Sequence, residues 1–142
     1  MRPIVCAMRG GEASRRTQER AIALAKEQKS ELIFLYIADP SFVGPVSEAL
    51  AVALTDELTW LGRSLLWIAQ ARAQKQGLEA QMVVRHGAVW PTLEDYLRQV
   101  NASTLVIGSP RTGAPHTFIP EEIQRLAQAV RQATGAEVVV VK

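Results

Sequence analysis

Few residues in this chain have the type and spacing to do chemistry, and most patterns fail where they would act. The run Gly108-Ser109-Pro110-Arg111-Thr112-Gly113 has the spacing that opens a P-loop, whose backbone N–H groups cradle phosphate. A P-loop continues with Lys and then Ser or Thr, which hold the β/γ-phosphates and Mg²⁺. Here Ala114 and Pro115 follow, so the match fails at the residues that carry the chemistry. His86 and His116 have no Cys, Asp or Glu at metal-ligand spacing. Neither has a Ser or Cys at a spacing that marks a nucleophile with its base, and both read as loop residues. Cys6 is the single cysteine and sits inside an apolar run, where a packed thiol is expected. These features predict no catalytic set, no metal and no resident cofactor, hence not an enzyme.

What remains is suited to holding an anion. Arg9-Gly10-Gly11 and Gly108 to Gly113 each set glycine at the end of an apolar run. Glycine lets backbone N–H groups approach a ligand, and a following helix N-terminus adds partial positive charge. The plainer reading is that these glycines only make tight turns. Arg9, Arg15, Arg16 and Arg111 would bind an anion by bidentate contacts if they lined one crevice. Otherwise Arg15 and Arg16 solvate the first turn of their helix.

The elements that must position these loops alternate along the chain. Pro3 to Met8 is a continuous apolar run, as a strand buried on both faces requires. Ala21, Ile22, Leu24 and Ala25 then share one face of a helix from Ser14 to Lys29. Glu31 to Ile37 is a second buried strand, ended by Asp39-Pro40. Leu50, Leu54, Leu58, Leu61, Leu65, Ile68 and Arg72 recur at spacings of three and four, an amphipathic helix from Ser47 to Gln76 capped by Gly77. Trp60 and Trp67 form a second stripe beside that leucine seam. We expect it in the core, the alternative being a contact surface for a partner.

Ala80, Met82 and Val84 alternate with polar residues, as in a strand near a sheet edge. Pro91 opens a helix buried through Leu93, Tyr96, Leu97 and Val100. Thr104 to Gly108 is a fourth strand. A helix from near Pro120, buried through Ile123, Leu126, Ala127 and Val130, ends at Gly135. Glu137 to Val141 is the last strand. Strands joined by helical crossovers imply a parallel sheet with right-handed connections and helices on both faces. A ligand then sits at the carboxyl ends of the strands, where the winding reverses.

Length and composition agree with one domain over residues 1–142. The chain is 48% apolar and 21% charged, near globular averages, which argues against disorder. A net charge of +2, with no basic stripe interleaved with aromatics, gives no reason to expect nucleic acid. No run of 18 apolar residues is present to span a membrane, and no signal-type segment opens the chain. The expected location is the cytoplasm.

The segments that close these strands carry a resemblance. "LIFLYIADP" closes the second strand, "VVRHG" the third and "ASTLVIGS" the fourth, and a valine-rich strand follows. In this order, over nearly the whole length, the chain resembles a universal stress protein. That resemblance implies a five-stranded parallel sheet in the order 3-2-1-4-5 and frequent homodimers. One branch of the family binds ATP through Gly-x2-Gly-x9-Gly-Ser/Thr after the fourth strand.

Gly108 matches the first glycine of that motif, but Arg111 falls on the second and Glu121-Glu122 on the final pair. Arg9 falls on the family's nucleoside-contacting aspartate. Two carboxylates where a triphosphate would rest repel it. The resemblance therefore implies a dimeric stress-response protein of the branch without ATP, acting through protein or small-anion contacts. Met8, Arg9, Gly10, Ile37, Ala38, Gly108, Ser109, Arg111 and Gly113 are the candidate ligand positions. Val138, Val139, Val140 and Val141 form a bare edge, the candidate dimer interface.

Two rival readings stay open. In one, the loop after Gly108 reshapes around ATP or AMP. In the other, the chain adenylates a substrate like the related nucleotide α-hydrolases. The second needs an SGGxDS-like loop after the first strand, and Arg9 to Ser14 lacks its aspartate.

Overall fold

β-Branched and aromatic runs alternate with helix-forming ones along the chain, and the helices cover both faces of the sheet that the strands form. A computed structural model describes residues 2–8, 12–39, 47–108 and 120–141, for residues 12–14 and 120–123 the backbone only. The elements are β1 (Ile4–Ala7), α1 (Glu12–Gln28), β2 (Leu32–Ala38), α2 (Glu48–Lys75), β3 (Ala80–His86), α3 (Val89–Val100), β4 (Thr104–Gly108), α4 (Pro120–Thr134) and β5 (Glu137–Val141). The strands form one sheet in the order β3-β2-β1-β4-β5, and every neighbouring pair is parallel.

Period-two alternation divides the central strands between two cores. Ile4, Cys6, Phe34 and Val106 face α1 and α2, meeting Ala21, Ala25, Leu66 and Ala69. Val5, Ile33, Leu35 and Leu105 face the other side, meeting Leu93, Tyr96 and Leu97 of α3 and Val130 of α4. Strands covered on both faces have no polar alternation, which is why β1, β2 and β4 read as continuous apolar runs. β3 and β5 are the edges, as the alternation of Ala80, Met82 and Val84 predicts for β3 and the order 3-2-1-4-5 implies for β5.

Helix ends follow local chemistry. The Ser47 hydroxyl accepts the Leu50 N–H at 3.2 Å and starts α2. Gly77 and Gly135 take φ of +77° and +76° just past α2 and α4, a conformation that costs other residues energy. Arg2 donates to the carbonyls of Asn101 and Ala102 at 3.1 and 3.0 Å, tying the start of the chain to the turn before β4.

Helix α2 corrects the expectation about its faces. Its buried residues are Gly62, Leu66, Ala69 and Ala73. Only part of the leucine seam turns inward: Leu50, Leu61 and Ile68 are exposed, Leu54 and Leu58 are half-buried, and the half-buried Leu65 packs against the core. Trp60 and Trp67, expected in the core, are 70% and 69% exposed. The reason is distance. The inward line is glycine, alanine and one leucine, so the helix lies close to the sheet, and an ideal Cβ on Gly62 would come within 2.7 Å of the Tyr36 ring. Bulky side chains cannot enter that contact and rotate outward.

Candidate functional site

The winding of the sheet reverses between β1 and β4. Helix α1 carries the chain from β1 towards β2, and α4 carries it from β4 towards β5 on the other side. The crevice of such a sheet lies at the carboxyl ends of those two strands. The β1–β4 register runs from Ile4↔Thr104 to Cys6↔Val106, and two residues further on it sets Met8 level with Gly108. Met8 is buried, and its N–H donates to the Leu35 carbonyl at 2.9 Å. Gly108 is half-buried and pairs with Val141.

One strand over, Ile37 is half-buried and Ala38 fully buried. The Ala38 carbonyl accepts the Gly87 N–H at 3.2 Å, joining the ends of β2 and β3. Met8, Ile37, Ala38 and Gly108 therefore gather at one end of the sheet, where β1, β2 and β4 close. Arg9, Gly10, Ser109, Arg111 and Gly113 lie outside the described residues, as does His116. Glu121 and Glu122 are the second and third residues of α4, so the chain brings two acidic residues to the helix start that faces this end of the sheet.

Arg15 is committed elsewhere. Its Nε donates to Glu19 Oε1 at 3.2 Å across one turn of α1, in an exposed pair that contributes little to stability. Both residues line a groove of about 710 Å³ between α1 and α2, with Ile22, Lys26, Arg72 and Lys75. Arg72 Nη1 donates to Gln18 Oε1 at 2.6 Å and braces the two helices. Arg16 is exposed on α1, which agrees with a solvating role.

His86 is the last residue of β3 and not a loop residue. The Thr59 hydroxyl donates to the Thr55 carbonyl at 2.7 Å. The same hydroxyl is hydrogen-bonded to His86 Nε2, 2.9 Å away, with the donor set by the ring's tautomer. The contact pins the end of β3 to α2. Beside it, Arg85 stacks over the Tyr96 ring with Cζ 5.1 Å from the centroid. Burial raises the Tyr96 pKa, and the Arg85 charge lowers it in part. Burial also pushes the Cys6 thiol up to about 12, so it stays protonated and is no nucleophile.

The sequence reading missed Gly62, Thr59 and Tyr36 as positioning residues. Only Gly62 left a signal, as a glycine deep inside a strong helical pattern. Among the described residues, no group of three His, Cys, Asp or Glu stands close enough to hold a metal. Nor is any helix there long and apolar enough to cross a membrane.

The model of the universal stress protein family matches residues 1–142. The chain belongs to the universal stress protein family. Solved members share its fold throughout. UspA from Lactobacillus plantarum superposes with a TM-score of 0.78 at 19% identity, covering 99% of this chain and 97% of its own. A universal stress protein in complex with cAMP gives 0.71 at 22% identity, with 99% and 97% covered. The Archaeoglobus fulgidus protein in complex with dAMP gives 0.64 at 16%, with 100% and 98% covered. No curated protein matches by sequence. At these identities the likeness establishes the fold of this universal stress protein, and its crevice must be read from its own residues.

Proposed function

We propose that this is a stress-response protein of the family branch that does not bind ATP, cytoplasmic and non-enzymatic, acting through dimerisation and through protein or small-anion contacts. One observation carries the reading: α4 begins at Pro120, so Glu121 and Glu122 stand in its first turn. A helix N-terminus with backbone N–H groups free for phosphate is an anion site. Two acidic residues in that first turn add negative charge where a triphosphate would rest and repel it. Arg111 on the motif's second glycine position adds bulk where backbone must meet phosphate.

Thermal denaturation with millimolar ATP and Mg²⁺ tests the reading. A ligand at about 100 times its dissociation constant stabilises by roughly 2.7 kcal/mol, a rise of several degrees in a domain of this size. We expect no rise with ATP, and a rise would overturn the proposal. A second reading, binding of an adenine monophosphate, is favoured by the related proteins solved with cAMP and dAMP. A monophosphate brings less charge towards the two glutamates. A rise with AMP that Gly108→Val abolishes would decide for it.

The dimer is expected at β5, whose valines are half-buried along a sheet edge. Val139→Lys should weaken self-association by about tenfold or more, since a charge on an apolar edge opposes pairing. A folded variant with an unchanged sedimentation coefficient would exclude this edge.

A further inference from the structure

Helix α2 is apolar on two opposite sides. Gly62, Leu66, Ala69 and Ala73 hold it on the sheet. Facing away stand Trp60 and Trp67, 70% and 69% exposed, with Leu50, Leu61 and Ile68 about half exposed. Scattered exposed apolar residues need no explanation, whereas a contiguous stripe marks an interaction surface. The stripe is also periodic. Trp60 and Trp67, and Leu61 and Ile68, recur at seven residues, with the small Ala53, Ser64 and Ala71 between them. That repeat is the seam one helix offers to another.

The charges on α2 select the partner. Its acidic residues, Glu48, Asp56 and Glu57, all precede Trp60, and its basic residues, Arg63, Arg72 and Lys75, all follow it. Such a helix complements a copy of itself running the other way, an arrangement that also opposes the two helix dipoles. The groove beside the basic half extends the effect, because Lys26 of α1 joins Arg72 and Lys75 there, the Arg15–Glu19 pair in the same groove being neutral as a whole.

We propose that α2 pairs antiparallel with α2 of a second copy of this chain, about a two-fold axis at Ser64. The small Ser64 side chain lets the two backbones approach at the axis. In that register Trp60 lies opposite Ile68, and Leu61 opposite Trp67. Glu57 lies opposite Ala71, one turn from Lys75. This contact is separate from the β5 edge, because α2 covers β2 and β3 at the other end of the sheet. Two such isologous contacts on one chain build assemblies larger than a dimer. From Ala53 to Ala71 the stripe is about 27 Å long and about 10 Å wide. It buries a few hundred Å² per copy, below the ~800 Å² of a standard interface, so the association is weak and concentration-dependent.

Sedimentation velocity on the full chain, from micromolar to several hundred micromolar, tests the pairing in the Val139→Lys background that removes the β5 contact. A dimer should form with rising concentration. Trp67→Glu, at an exposed position, should abolish it while circular dichroism stays unchanged. Glu57→Lys or Lys75→Glu alone should weaken the dimer about tenfold, and the two together should restore it. These residues are 18 apart, about 27 Å along one straight helix, so the rescue can arise only between copies. The pairing is overturned if the Val139→Lys protein stays monomeric throughout, or if Trp67→Glu sediments unchanged. Failure of the double charge swap to regain association overturns it as well. So does a monomer in which Trp60 and Trp67 are shielded from a soluble quencher, because another occupant would then cover the stripe.

Discussion

Phe34→Ala should lower the melting temperature by about 10 °C. Phe34 is fully exposed to neither solvent nor sheet edge: it is completely buried in the middle of β2. The register places it between Cys6 of β1 and Met82 of β3, under the inward residues of α1 and α2. Truncating such a ring loses its transfer free energy and leaves a cavity, at a cost of roughly 3–5 kcal/mol. Each kcal/mol is worth about 3 °C at this chain length. Scanning calorimetry measures the shift. Phe34→Leu should recover more than half of it, because most of the volume returns. A loss under about 1 kcal/mol for the alanine variant would mean that α2 collapses onto the vacated space, and would count against the rigid close approach described above.

The second large effect concerns Gly62. A Cβ there meets the Tyr36 ring, two of whose atoms would lie 2.7 Å away. Alanine is otherwise the better helix former by about 1 kcal/mol. The steric cost of overpacking, roughly 1–3 kcal/mol, opposes that gain. We expect Gly62→Ala to lose about 1–2 kcal/mol net, and Gly62→Val more. The sign should reverse when the ring is removed. In a Tyr36→Ala background, Gly62→Ala should stabilise, because only the helix preference remains. Urea denaturation of the four proteins gives the coupling directly. Additive effects in that cycle would sink the claim that Gly62 exists to admit Tyr36. Function is connected here, since Tyr36 leads directly into Ile37 and Ala38 at the crevice.

Much of the architecture was legible in advance for simple reasons. β1, β2 and β4 are covered on both faces, so their runs contain no polar alternation to confuse them with surface strands. The loops after Met8 and before Pro120 stand out because glycine, proline and serine interrupt apolar runs. The placement of Met8, Ile37, Ala38 and Gly108 at one end of the sheet was legible, because each lies at or near the close of an apolar strand run. His86 was not, because its role depends on Thr59, 27 residues earlier. No local spacing links a strand end to the middle of a preceding helix.

The sequence alone determined the alternation of strands and helices, the family to which those segments belong, and the acidic residues at the start of α4. These depend on neighbouring residues and on residue type, which the linear chain displays. Only the tertiary structure decided which face of α2 meets the sheet. The helix has two apolar stripes, and hydrophobicity favours the one with more leucine and tryptophan. Packing chose the other. Against a sheet whose surface at that point is the Tyr36 ring, close approach needs glycine and alanine, and the larger side chains were left outside to meet something else.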